Sequence, residues 1–317
     1  MLSFKNYLIS ESIRQGLPHI TTMTHGQTSN LIGSGTIHLS DLTEKTDGMT
    51  HVMGHDEHGF YTQSSGSGSE KMRKPEDFHE RAKRRAKETG KEYDPTSANA
   101  FAHVHELLQN NISLQNHLIK QFNKTKSDVK IRGEVFYKPL SRPSEEKKGE
   151  IKFVGTSYDP SHMGSVGKYV IHSKLPENNH VDVEHFSKNM STPELNFDHD
   201  IIEHKGSRVD VSKEAKEFGK LNHDLINSRT TKTNKEQKTA ELAKMSSIQK
   251  KISNKVDAAI KSSGAEPKWG SGSEGIVVHP SKSNPNAPRF KVTSDAFRAF
   301  KADPKNKEGF KKRNVGV

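Results

Sequence analysis

The chain has 317 residues, of which 30% are hydrophobic and none is cysteine, and its formal charge is +11. Its mean hydropathy is −0.88 and its pI is near 9.5. These values exclude disulfides and cysteine-ligated zinc, no apolar run approaches the ~20 residues of a membrane span, and the positive field favours polyanionic partners such as nucleotides or nucleic acid.

Residues 1–11 alternate apolar and polar side chains and carry Glu11 where a secretory cleavage site would need a small residue. They predict a short amphipathic helix with Phe4, Tyr7, Leu8 and Ile9 near one face, not an export signal, and so a cytoplasmic protein. Residues 17–35 read as loop. Over 36–64 the pattern turns strand-like, and an acidic, glycine-ended turn at 55–59 marks a β-hairpin. Lys45 then falls at a strand end, with Asp47-Gly48 as a tight turn beside it. A Gly/Ser/Lys stretch over 64–75 reads as a mobile loop.

The spacing predicts a charged helix over 76–91. A better one covers 97–122, where Phe101, Val104, Leu107, Leu108, Leu114 and Leu118 make an apolar stripe. Strands follow over 129–137, 151–156 and 166–172, separated by a polar loop over 139–148. Most of 174–205 reads as an acidic, histidine-bearing loop. Residues 205–262 carry 14 Lys or Arg against 7 acids and predict two lysine-rich helices broken near 230–234. Strands over 274–278 and 290–292 and a helix over 294–301 complete the pattern, before a basic, disordered tail.

Four motifs carry chemistry, in the order Lys45-Thr46-Asp47-Gly48, Gly133-Glu134-Val135-Phe136, Glu274-Gly275-Ile276-Val277-Val278 and Arg289-Phe290-Lys291. Together they supply a nucleophilic lysine, two carboxylates and a late pair of cations. A free lysine has a pKa of about 10.4. Partial burial and neighbouring positive charge make such a group a nucleophile. Taken alone, Lys45 reads as a solvated lysine before an Asp-Gly turn. Glu274 opens an otherwise apolar strand, where a buried charge is costly unless it binds something. Arg289 and Lys291 are two apart and so point to one face of a strand, enough to clamp phosphates. The histidines His51, His55 and His58 fall in the hairpin, and His103 and His105 lack metalloprotease spacing, so a structural or surface role is expected for them.

In their order and spacing these motifs resemble the covalent nucleotidyltransferase superfamily of ATP-dependent DNA ligases, RNA ligases and mRNA capping enzymes. The resemblance covers roughly 36–172 and 268–302 and extends to ligase-like proteins of large tailed bacteriophages. It implies an α+β nucleotidyltransferase domain with two antiparallel sheets and the nucleotide between them, ATP as substrate, and Mg²⁺ or Mn²⁺ as cofactor. It assigns Lys45 and Lys291 to catalysis. Glu44, Asp47, Gly48, Ser64, Glu134, Phe136 and Arg289 are assigned to nucleotide binding, and Glu134 and Glu274 to the metal. His279 stands where the family usually has a lysine, five residues after Glu274.

The implied division is an N-terminal helix and loop (1–35), a core in two parts (36–173 and 266–302), an inserted acidic loop with basic helices (174–265) and a tail (303–317). No C-terminal OB-fold is expected, so the resemblance implies self-nucleotidylation more directly than strand joining. The inserted helices are expected to bind DNA or RNA and to be separable from the chemistry. Two other readings remain open. One is a phage head-associated or injected protein on a degenerate ligase scaffold, packaged with head proteins. The other is a non-catalytic nucleic-acid-binding protein.

Overall fold

Strand β2 (Leu42–Thr46) and strand β3 (Met49–Asp56) are neighbours in sequence but belong to different sheets. This separation organises the α+β architecture seen in a computed structural model, which describes residues 17–46, 49–64, 70–137, 166–227, 235–265, 273–294 and 298. The described residues fall into two compact units. The first takes those of 1–45, 201–268 and 273–317, and the second those of 46–200. Among them are seven α-helices and ten strands.

In the first unit, helix α1 (His25–Ile32) starts at a reciprocal cap: the N–H of Gln27 donates to Thr24 Oγ1, and the N–H of Thr24 donates to Gln27 Oε1. That cap and the burial of Leu31 and Ile32 make a helix where a loop was expected over 17–35. Strand β1 (Thr36–Leu39) pairs antiparallel with β8 (Ser207–Asp210). A separate three-stranded sheet runs in the order β10 (Phe290–Thr293), β9 (Ser273–Val278), β2.

Helices α6 (Ser212–Asn227) and α7 (Lys235–Ser262) flank the expected break at 230–234. They are not an appendage. Met245, Ile248, Ile252, Val256 and Ile260 recur every three or four residues along α7 and are buried. With Phe218 and Leu225 of α6 they join one apolar cluster that includes Leu42, Ile276, Val278 and Phe290 of the three-stranded sheet. The expected insertion over 174–265 is therefore divided. Residues 201–265 form core in the first unit, and 174–200 belong to the second.

The second unit is built on a five-stranded sheet in the order β4 (Gly59–Ser64), β3, β5 (Val129–Tyr137), β6 (Val166–Ile171), β7 (Asn196–His199). All its pairings are antiparallel except β6 with β7. Among the described residues three sheets thus stand where two antiparallel ones were expected, and the largest is mixed. Helix α2 (Pro75–Thr89) has Pro75 at its start, Asp77 accepting from the N–H groups of Arg73 and Lys74, and Gly90 ending it at φ +64°.

The single helix expected over 97–122 is two, α3 (Thr96–Asn110) and α4 (Ile112–Thr125). Asn111 breaks it at ψ +95°, caps α4 by accepting from the N–H of Leu114, and donates to the carbonyl of Met190. In the stretch expected as loop, α5 (Val183–Met190) begins at Asp182, which accepts from the N–H of His185, and buries Val183, Phe186 and Met190. The elements expected over 1–11, 139–148, 151–156 and 303–317 lie outside the described residues, as does the helix over 294–301 apart from Arg298. Among the described residues no helix is long and apolar enough to cross a membrane.

Candidate functional site

Side chains alternate along β2. Leu42 joins the apolar core, while Thr43 and Lys45 point the other way. On that second face Thr43 Oγ1 lies 2.9 Å from His279 Nε2, just beyond β9. Lys45 Nζ lies 3.7 Å from Glu274 Oε2 at the opposite end of β9. Lys291 Nζ, on β10, lies 3.9 Å from the same oxygen. The three side chains are 26%, 16% and 24% exposed for Lys45, Glu274 and Lys291, so solvent reaches them. Three of the four sequence motifs therefore converge in the first unit, on one carboxylate oxygen.

Glycine makes this convergence possible. Strict alternation would turn Glu274 to the face of Ile276 and Val278, which is core. Gly275 adopts φ +147°, a conformation other residues rarely reach. A Cβ there would sit 2.1 Å from the carbonyl oxygen of Val292 on β10. The backbone thus changes direction between Glu274 and Ile276 while β10 passes close by. The Ser294 N–H still donates to the Glu274 carbonyl at 3.1 Å.

Arg289 is half-buried and immediately precedes β10, two residues from Lys291. Glu44 is 1% exposed and lies on the core side of β2, opposite to Lys45. Asp47 and Gly48 lie outside the described residues.

The remaining expected site residues belong to the second unit. Glu134 on β5 is buried, and its Oε1 lies 3.6 Å from His172 Nε2, an ion-pair distance. His172 Nδ1 lies 3.2 Å from Asp200 Oδ2, and Ser173 donates to Asp200 from both its N–H and its hydroxyl. Burial alone would lower the His172 pKa, but the Asp200 and Glu134 carboxylates outweigh it and push it up to about 9. Neither His172 nor Asp200 stands out in sequence, because the contact joins the interior of β5 to the residues that directly follow β6 and β7. Ser64 ends β4 and accepts from Arg81 Nη1 at 2.7 Å. Phe136 stands opposite Lys168 in the β5–β6 register.

A second ionic group in this unit is centred on Asp56. Asp56 is gripped by Arg73 through both oxygens and by Lys71 at 2.6 Å, and Lys71 also reaches Asp128, which accepts from the Tyr61 hydroxyl. Burial would raise the Asp56 pKa, but the two cations overcome it and hold the carboxyl far below the usual range. Among the histidines, His51 is buried against Phe101 and Tyr169. His105 is buried and bonded to Thr62, and His58 is exposed in the hairpin turn.

The described residues contain no cluster of three metal-ligating side chains. A divalent cation at Glu274 would have one carboxylate from this face and would complete its shell with phosphate oxygens and water. That is the usual mode for Mg²⁺ with a nucleoside triphosphate. The paired ammonium groups of Lys45 and Lys291 suit the phosphates themselves. No protein-family model, curated protein sequence or solved structure matches the chain.

Proposed function

We propose that the protein is an ATP-dependent nucleotidyltransferase of the DNA or RNA ligase kind, which forms a covalent lysyl-AMP on Lys45 with the nucleotidyltransferase fold as its scaffold. One observation carries the reading: Lys45 and Lys291 meet on a single oxygen of Glu274, on a face reachable by solvent. Two ammonium groups this close repel one another, and the carboxylate offsets that repulsion in the absence of ligand. A triphosphate brings its own negative charge and takes over that role, releasing Lys45 from Glu274.

In the proposed step the neutral Nζ of Lys45 bonds to the α-phosphorus. The bond from that phosphorus to the bridging oxygen of the β-phosphate breaks, and pyrophosphate leaves with the electron pair. Lys45 gives one proton to solvent as its ammonium becomes the neutral amine and a second as the N–P bond forms, which leaves a neutral phosphoramidate nitrogen. Lys291 and Arg289 hold the phosphates as charge shifts to the leaving group. Glu274 would hold a divalent cation, which when bound neutralises phosphate charge. The AMP would then pass to the 5′-phosphate of a polynucleotide. The exposed lysines of α7, among them Lys244, Lys250 and Lys251, favour such an acceptor.

Incubation with α-labelled ATP and Mg²⁺ or Mn²⁺ tests the reading. The protein should retain label after denaturation, and Lys45→Ala should not. An unlabelled wild-type protein, or a labelled Lys45→Ala protein, overturns it.

A further inference from the structure

We infer that His279 is a positioning residue for Lys45, acting through Thr43 to hold β2 in the one register that presents the lysine. The inference rests on the nucleotidyl-transfer reading and adds to it the device that places the nucleophile. Strand β2 alternates Thr43, Glu44, Lys45, Thr46, with Thr43 and Lys45 on the face that meets Glu274. Glu44, at 1% exposure, and Thr46 lie on the other side. A slip of one residue against β9 exchanges the two faces, burying Lys45 and offering Glu44 in its place. A slip of two moves Lys45 by about 7 Å, beyond the reach of its contact with Glu274.

His279 holds this segment twice at the far end of the pairing, once at Asp41 just before β2 and once at Thr43 within it. Its backbone N–H donates to the carbonyl of Asp41 at 3.0 Å, and its Nε2 lies 2.9 Å from the hydroxyl of Thr43. The backbone bond alone does not choose a face. The side-chain bond does, because it is made only when Thr43, and with it Lys45, points away from the core. Thr43 is itself 1% exposed, so its hydroxyl has no ready exchange with solvent, and losing the imidazole leaves it unpaired. On β9 the His279 contact and the Glu274 contact thus bracket β2, one fixing register and the other receiving the lysine.

The experiment measures formation of the lysyl-AMP adduct against ATP concentration in the full chain, with a melting transition recorded for each variant. Thr43→Val and His279→Phe should each lower the maximal rate at least tenfold and leave the KM for ATP within twofold, because they misplace the nucleophile and not the nucleotide. His279→Gln carries a polar atom near the Nε2 position and should stay within threefold of wild type. The Thr43→Val/His279→Phe double variant should be no slower than the slower single variant, as expected for one shared interaction.

A raised KM with an unchanged rate would make His279 a nucleotide contact and overturn the inference. Additive losses in the double variant, or failure of His279→Gln to restore the rate, would overturn it too. If His279→Phe does not fold, Thr43→Val carries the test alone, and an unslowed Thr43→Val overturns the inference. A wild-type protein that forms no adduct removes both this inference and the function on which it rests. An active wild-type protein with unaffected variants removes this inference only.

Discussion

Lys45 and Lys291 place their Nζ atoms 3.7 and 3.9 Å from one oxygen of Glu274. Two cations on a partly exposed carboxylate are of little worth as a stability device, since solvent screens them. In the proposed reaction their value lies in what the carboxylate can release. Glu274→Ala should therefore slow adduct formation at least a hundredfold, which corresponds to about 3 kcal/mol of transition-state stabilisation. The melting temperature should change little. A wild-type rate in Glu274→Ala would make the carboxylate a structural counterion. A large fall in stability with the rate preserved among folded molecules would do the same.

Gly275 permits a separate prediction, independent of any ligand. Gly275→Ala adds a methyl group 2.1 Å from the Val292 carbonyl oxygen at φ +147°. Backbone, not a pliable side chain, receives the clash, so β9 and β10 must part or the turn at Glu274 must change. A loss on the order of 1–3 kcal/mol is expected, measured as a lower urea midpoint with little change in slope. Because the turn also aims Glu274, adduct formation should fall even in the molecules that remain folded. An Ala variant of wild-type stability would show that the close approach is not maintained in solution.

Much of the second unit is legible in sequence, because its signals are local. The turn at Asp56-Glu57-His58-Gly59 joins alternating strands, and β3 pairs with β4 in the expected hairpin. Local signals exist also where the structure departs from expectation. Asp182 before Val183, Phe186 and Met190 is an N-cap followed by an apolar stripe, obscured by the acids and histidines around it. The non-local part is different in kind. Nothing near Leu42–Thr46 announces that its partner is β9, from the far end of the chain. Only the resemblance of their motifs to a family links the two elements in sequence. In the same way five apolar residues in the 28 of α7 suffice to make it core, while its lysines dominate the composition. His172 and Asp200 carry no pattern at all, since strand ends brought together by tertiary pairing have no spacing in sequence.

Burial of His51 yields a pH dependence with a definite sign. Its surroundings withhold solvent, and the nearby His105 opposes a second charge, so its pKa is lowered from 6.5 to about 3. Both its ring nitrogens are buried without a hydrogen-bond partner. Between pH 6.5 and 3 the unfolded chain binds a proton that the folded chain refuses. This contribution to stability is therefore fully present above pH 6.5 and is lost as pH falls toward 3, at about 1.4 kcal/mol per pH unit in the middle of the range. Urea midpoints measured from pH 7 to pH 4.5 should fall accordingly. His51→Phe keeps a ring between Phe101 and Tyr169 and should flatten that limb. An unchanged acid limb in His51→Phe would assign the effect to other groups.

Helix α7 has two faces with separable consequences, and this replaces the expectation that residues 212–262 can be removed without harm to the chemistry. Ile252 is fully buried in the cluster that also contains Leu42, Ile276 and Phe290. Ile252→Ala should cost about 2–5 kcal/mol through reduced burial and the cavity left behind. Deleting 212–262 should leave the first unit unable to fold, and with it the sheet that holds Lys45, Glu274 and Lys291. Lys244 and Lys251, seven residues apart, are exposed on the same helix. Reversing both, as Lys244→Glu with Lys251→Glu, should leave stability and self-nucleotidylation near wild type. The same double variant should weaken binding to DNA or RNA and reduce its dependence on salt, by roughly 0.9 log units per log unit of salt for each DNA phosphate no longer neutralised. Affinity and salt slope measured by fluorescence anisotropy decide the matter. If the double reversal leaves both unchanged, the lysines are a solvated face and α7 is not where a polynucleotide binds. If the deletion yields a folded protein that still labels, α6 and α7 are dispensable to the sheet that holds Lys45, Glu274 and Lys291, and the burial of Ile252 is incidental.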